Sequence, residues 1–231
     1  KDNVEISSIL FRGLVIAAVS GIILIATQSF LFSGIFYFLA GAEGAEKLAT
    51  EYMSIRVIGA PFAISMFVFV GWLFGMGKTI NALCLLVALN VLNILLDIIF
   101  VNFLHLGIGG VAYASLVSEL FGFCLGIYLC RGFLPNKEQI KGRAIFLSKK
   151  WKSFILLNLN IVFRSILLQS VFLSYLIIGT LFGSEILSAN HILLQIILLS
   201  VYALDGIAFS SEILVGEAIG KQRLQSFQKI V

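Results

Sequence analysis

Charge is scarce in this 231-residue sequence. Asp, Glu, Lys and Arg together supply 12% of it, while hydrophobic residues reach 60%. A soluble domain has about a quarter of its residues charged. So little charge excludes one or two ordinary globular domains. Histidine is rarer still: His105 and His191 lie near the outer ends of apolar runs, with no second ligand at metal spacing. Interfacial hydrogen bonding is the role left to them. The three cysteines, Cys84, Cys124 and Cys130, sit within or at the ends of apolar runs and have neither disulfide nor metal spacing. Packing accounts for them. Paired histidines and acidic metal motifs, which a membrane-embedded transferase needs, are both missing, so the chain is not expected to be an enzyme.

What is present is apolar length. A helix needs about 20 apolar residues to cross a bilayer, at 1.5 Å per residue. Spans can be drawn at Leu14 to Ala40, Ile55 to Met76, Thr79 to Phe103, Ile108 to Cys130, Phe154 to Phe182 and Ile186 to Gly216. The expected fold is therefore an all-α, polytopic transmembrane helix bundle of about six spans. The sequence starts at Lys1, with no signal peptide ahead of the first run, and ends in a polar amphipathic stretch from Gly220 to Ile230. It reads as an internal piece of a longer protein.

The connections set the orientation. Between Cys130 and Phe154 stand Arg131, Lys137, Lys141, Arg143, Lys149, Lys150 and Lys152 against Glu138 alone, so this loop is expected in the cytoplasm. Lys78, and Lys221, Arg223 and Lys229 after the last span, fall on the same side. The alternate connections are acidic or neutral, with Glu43, Glu46 and Glu51 against Lys47 in the first. Both ends are thus expected inside, in a multi-pass protein of the plasma (inner) membrane. Pro135-Asn136 opens a longer polar segment that reads as a linker between two bundles. A basic amphipathic element near Ile140 to Trp151 suits the anionic inner leaflet, or merely obeys the positive-inside bias.

Polar residues inside the spans are where function is expected, because hydrocarbon makes them costly. Asn90, Asn93 and Asp97 recur at i, i+3 and i+7 and share one helix face. By helical rise Asn93 and Glu119 come to matched depths of about 15 Å, and Asp97 lies near the level of Ser115. The short His105-Leu106-Gly107 connection makes their helices antiparallel neighbours, and Gly107, Gly109, Gly110, Ala112 and Ala114 permit close approach. A carboxylate, an amide and a hydroxyl at one depth can hold Na⁺ or a proton; a hydrogen-bonded packing motif is the alternative. In the last two spans, Asn160 and Arg164 face a stripe of Gln195, Tyr202, Asp205 and Glu212. An Arg164–Asp205 pair would relieve two intramembrane charges. The segment Gly71-Trp-Leu-Phe-Gly-Met-Gly-Lys-Thr79 misses the phosphate-binding loop by one residue, Trp72, and ends a span rather than linking strand to helix. Nucleotide binding is rejected.

Several ordered motifs carry a family resemblance. Tyr52-Met-Ser-Ile-Arg56-Val-Ile-Gly59-Ala-Pro61, Gly71-Trp-Leu-Phe-Gly75, Asn90-x-x-Asn93-x-x-x-Asp97 and Gly109-Gly-Val-Ala-Tyr-Ala-Ser115 come first. Asn160-Ile-Val-Phe-Arg164-Ser165, Ser188-Ala-Asn190 through Gln195, and Tyr202-x-x-Asp205-Gly206 through Glu212 follow. Together they resemble the multidrug and toxic compound extrusion (MATE) transporters, in the DinF-like branch. The resemblance implies two six-helix lobes, with residues 1–140 as the third to sixth helices, and residues 141–231 as the linker and the seventh and eighth. It implies an antiporter that exports organic, mainly cationic, compounds in exchange for Na⁺ or H⁺. It also implies that Asn93, Asp97 and Ser115 join a first-helix acid, matched by no residue of this sequence, in the cation site. Ser115 stands where threonine is common, Glu119 where glutamine is usual and Asn160 where aspartate is usual. A lipid-linked oligosaccharide flippase of the same superfamily is the alternative; it would be expected to carry more lumen cations than Arg56 and Arg164. The implied partners are the bilayer and a small organic substrate, with no nucleic acid, no cofactor beyond the coupling ion, no metal beyond Na⁺ at Asp97, and a monomeric transporter.

The charge pattern generates one test. Cysteine placed at Lys141 or Lys149 is expected to react with an impermeant thiol reagent only from the cytoplasm, and at Glu46 only from outside. Labelling of positions 46 and 141 from one side sinks the six-span arrangement.

Overall fold

A computed structural model describes residues 2–38, 43–133 and 148–220. Among these, every regular element is helical: α1 (Asp2–Phe38), α2 (Glu43–Ile58), α3 (Ala60–Gly75), α4 (Thr79–Asp97), a π-helix (Ile98–Phe103), α5 (Gly107–Cys130), a 3₁₀ turn (Arg131–Phe133), α6 (Ser148–Leu181) and α7 (Ser184–Gly220). Among the described residues five helices are long and apolar enough to cross a membrane, and α2 with α3, bent by 55° at the break between them, together have the length and composition of a sixth. The chain divides into two compact units, Lys1–Ile145 and Phe146–Val231. The expected linker from Pro135, most of the basic amphipathic element and the polar end after Gly220 lie outside the described residues.

Two boundaries differ from the expected ones. The first span is expected from Leu14, because Arg12 interrupts the apolar run; the helix instead begins at Asp2. Arg12 is buried, with Nη1 3.3 Å from Oε1 of Glu5, two turns back on the same face. The second span is expected as one run from Ile55, but α2 starts at Glu43 and breaks at Gly59. Pro61 explains the break. It has no N–H for the carbonyl four residues back, and it disfavours helical geometry in the residue before it. The amide of Gly59 turns to the carbonyl of Arg56 at 3.0 Å, and the Gly59 carbonyl accepts from the amides of Phe62 and Ala63, both at 2.9 Å.

Small residues let the first unit close. Gly13, Ala17 and Gly21 repeat every four residues along α1 and lie against α3 in antiparallel order. A Cβ on Gly13 would meet Val68, one on Gly21 would meet Pro61, and Trp72 Nε1 donates to the carbonyl of Ile6 at 3.3 Å. On α5, Ser118, Gly122, Gly126 and Cys130 form a second such stripe, all buried. A Cβ on Gly122 would strike Leu89 of α4 and Met66 of α3, and one on Gly126 would strike the ring of Phe69. Without a hydrophobic drive between helices in lipid, such close contact is what dispersion attraction needs. Leu10, Phe69, Leu73, Ala82 and Leu85 fill the centre with no exposure.

The Gly75-Met-Gly77-Lys78 turn closes the end of α3 and leads into α4. The amide of Lys78 bonds the carbonyl of Leu73 at 2.8 Å and that of Gly77 bonds Phe74 at 2.9 Å, with Gly77 at φ +68. This is a Schellman helix end, for which glycine is the usual residue. In the second unit α6 and α7 are joined through Phe182 and Gly183, the latter at φ +94.

The stripe on α5 yields a stability prediction. Gly126→Leu forces a side chain into Phe69 and is expected to destabilise by about 1–3 kcal/mol. Gly71→Leu points into open space and should stay within about 0.5 kcal/mol of wild type. Thermal unfolding in detergent measures both; equal midpoints would mean α3 and α5 do not meet at Gly126.

Candidate functional site

The polar residues of the first unit gather where α4 and α5 meet and where α2 breaks. Asn93, on α4, donates from Nδ2 to Ser115 Oγ on α5 at 3.4 Å, and both side chains are half-buried. Gly110 makes this approach possible, since a Cβ there would stand 3.2 Å from the carbonyl group of Phe100 in the π-helix. Asp97 is the last residue of α4, at the point where the α-helix widens into the π-helix. Such π segments concentrate at functional sites. Its Oδ1 is buried and makes no hydrogen bond among the described residues. A buried carboxylate oxygen without a donor is a position where a bound cation would replace lost hydration.

Glu119, expected at the depth of Asn93, is held by Arg56, in the last turn of α2, whose Nη1 lies 2.7 Å from Glu119 Oε1. The pair is mostly shielded, with 29% of the Arg56 side chain and 12% of the Glu119 side chain exposed. Glu119 Oε2 is buried against Gly59, where a Cβ would collide with it, and makes no hydrogen bond among the described residues. Arg56 is the functional candidate that the residue pattern did not mark. Its signal was an unmatched cation in one span and an unmatched acid in another. Asn90, expected on the shared stripe, is exposed and donates to the carbonyl of Leu86 in its own helix at 2.8 Å. It does not join the cluster.

In the second unit the expected Arg164–Asp205 pair is not formed: both side chains are exposed and no ion pair joins them among the described residues. Asn160, Gln195 and Tyr202 are exposed too, so the two-helix unit does not bring this stripe together. Glu212 lies on α7, with its side chain outside the described set. No cluster of three metal-ligating side chains occurs among the described residues.

Apolar spans, one of them broken, packed through small residues around a few buried charges, define a polytopic helical membrane protein. Comparison with known proteins shows what it resembles. Residues 1–99 match the MatE family model. DNA damage-inducible protein F of Escherichia coli (strain K12) is 29% identical over 224 residues, covering 95% of this chain and 48% of that protein. The probable multidrug resistance protein NorM of Bacillus anthracis is 22% identical over 96% of this chain and 51% of its own length. Among solved structures, the outward-facing conformation of a multidrug resistance MATE family transporter of the MOP superfamily shares the fold, with a TM-score of 0.67 and 22% identity over 99% of this chain and 55% of that one. Over residues 1–99 the chain is similar to the MatE family, and as a whole it shares the fold of solved MATE family transporters. It spans about half the length of the curated relatives it matches.

Because Arg164 and Asp205 do not touch, their substitutions should act independently. Asp205→Asn and Arg164→Gln are expected to change thermal stability additively, to within about 0.5 kcal/mol in the double variant. A double variant much more stable than that sum would restore the pair.

Proposed function

We propose that the chain supplies part of a secondary antiporter that exports organic, mainly cationic, compounds in exchange for Na⁺ or H⁺, with Asp97 as the residue that binds the coupling ion. The observation that carries this reading is the buried, undonated Oδ1 of Asp97, a residue one helical turn beyond Asn93 and its 3.4 Å hydrogen bond to Ser115. The amide one turn away and the hydroxyl it bonds provide further oxygen ligands for a hard cation. Cation and exported substrate then compete for one acid, so that loading one releases the other. The names of the relatives, multidrug resistance protein and multidrug resistance MATE transporter, support this direction. The flippase reading loses one of its two lumen cations, since Arg56 is already neutralised by Glu119. The proposed transporter works as a monomer in the inner membrane, with both ends of this chain cytoplasmic and no cofactor.

The test is gradient-driven efflux of a fluorescent organic cation from proteoliposomes containing the natural full-length protein. Asp97→Asn keeps the shape and removes the charge; it should fold normally and lose efflux driven by a Na⁺ or H⁺ gradient. Asn93→Ala should weaken coupling less, and Ser115→Ala least. Wild-type efflux by Asp97→Asn would leave the cluster a packing motif.

A further inference from the structure

The Arg56–Glu119 pair sits directly at the helix break. One carboxylate oxygen of Glu119 takes the guanidinium from the last turn of α2, and the other lies against Gly59, the residue that separates α2 from α3. The carboxylate is therefore lodged at the bend, touching both the end of the outer half and the joint itself. On its own helix, Glu119 lies one turn beyond Ser115, on the same face. Ser115 in turn takes the amide of Asn93. A single face of α5 thus contacts the break on one side and the polar stripe of α4 on the other.

Pro61 and Gly59 account for there being a break, but neither fixes its angle. A missing N–H and a small residue loosen the backbone and allow a range of bends. Something outside the span has to select 55°. We propose that Arg56 and Glu119 are positioning residues that hold this bend and, through α5, keep Ser115 opposite Asn93. The tether is strong because its alternative is two unpaired charges at membrane depth. A Cβ at position 59 would press on the carboxylate, so a side chain there would shift it. The consequence for ion coupling rests on the proposed cation site; the consequence for the bend does not.

Spin labels at Leu48 of α2 and Gly71 of α3, both exposed, report the bend in lipid once the native cysteines are replaced. Full straightening would lengthen the label separation by about 4 Å, from helical rise along each arm. Glu119→Gln, and the double variant Arg56→Gln with Glu119→Gln, should lengthen and broaden the distance distribution. The charge-swapped protein, Arg56→Glu with Glu119→Arg, should return it toward wild type. The double neutral variant leaves no unpaired charge, so it remains decisive even where a single variant fails to fold. If its distribution matches wild type in mean and width, Gly59 and Pro61 set the bend alone and the proposal falls. In transport, the same variants should raise the half-saturating cation concentration about threefold or more while sparing the maximal rate. Because the distance is read without transport, loss of the cation-site reading and loss of the positioning role give different results.

Discussion

A guanidinium at membrane depth has few stable surroundings. Lipid offers it neither solvation nor counter-charge, and leaving it bare costs roughly 3 kcal/mol on insertion scales and more on simulated ones. Arg56 meets this constraint through Glu119, 63 residues further along the chain, at 2.7 Å. Much of the first unit is arranged so that this meeting is possible. Glu119 reaches Arg56 because α5 packs closely on α2 and α3. It packs closely because Gly109, Gly122 and Gly126 carry no side chains where those helices pass. The pair also meets the joint between α2 and α3, where a Cβ on Gly59 would press against Oε2.

The same economy of side chains runs through α1. Gly13, Ala17 and Gly21 bring it against α3 so tightly that added methyl groups would overlap Val68 and Pro61. Pro61 therefore serves twice: it breaks the span, and its ring fills the space left by Gly21. A helix bent at this point would leave poorly bonded carbonyls if the joint were loose, and lipid cannot bond them. The Gly59 amide and carbonyl contacts to Arg56, Phe62 and Ala63 limit that loss. Break, glycine stripe and ion pair are thus parts of one packing solution.

Most of the fold is legible in residue pattern because lipid imposes a coarse rule: about 20 apolar residues make a span. The rule fails where charges sit inside spans. Arg12 hides the first turns of α1, since hydropathy takes no account of Glu5 reaching it from two turns away. With a span starting at Ile55, Arg56 falls at its outer end. Counted from Glu43, it lies about 20 Å along α2, comparable with Glu119 about 18 Å along α5. From that start, the two unmatched charges come out as partners. The Asn93–Ser115 contact is legible because the short connection between their helices fixes the register. The Arg164–Asp205 pair rests on depth alone, and depth says nothing about which way each helix is turned. Hydrocarbon cannot be what those exposed polar groups of α6 and α7 meet; they need protein or water beside them.

Glu119 and Asp97 stand in different electrostatic surroundings, and on the proposed antiport reading the difference bears on exchange. Glu119 has a cation at 2.7 Å, so a second cation arriving there would be repelled by Arg56 and would have to displace it. Asp97 has no such partner among the described residues, and its buried oxygen gains whatever the incoming ion supplies. An antiporter needs an acid that binds and lets go, within a frame that does neither. On the proposed reading, sequence distance and helix register assign these tasks separately. Glu119 is committed to the frame through Arg56. Asp97, one α-helical turn beyond Asn93 and at the edge of a π-helix, is left free to exchange.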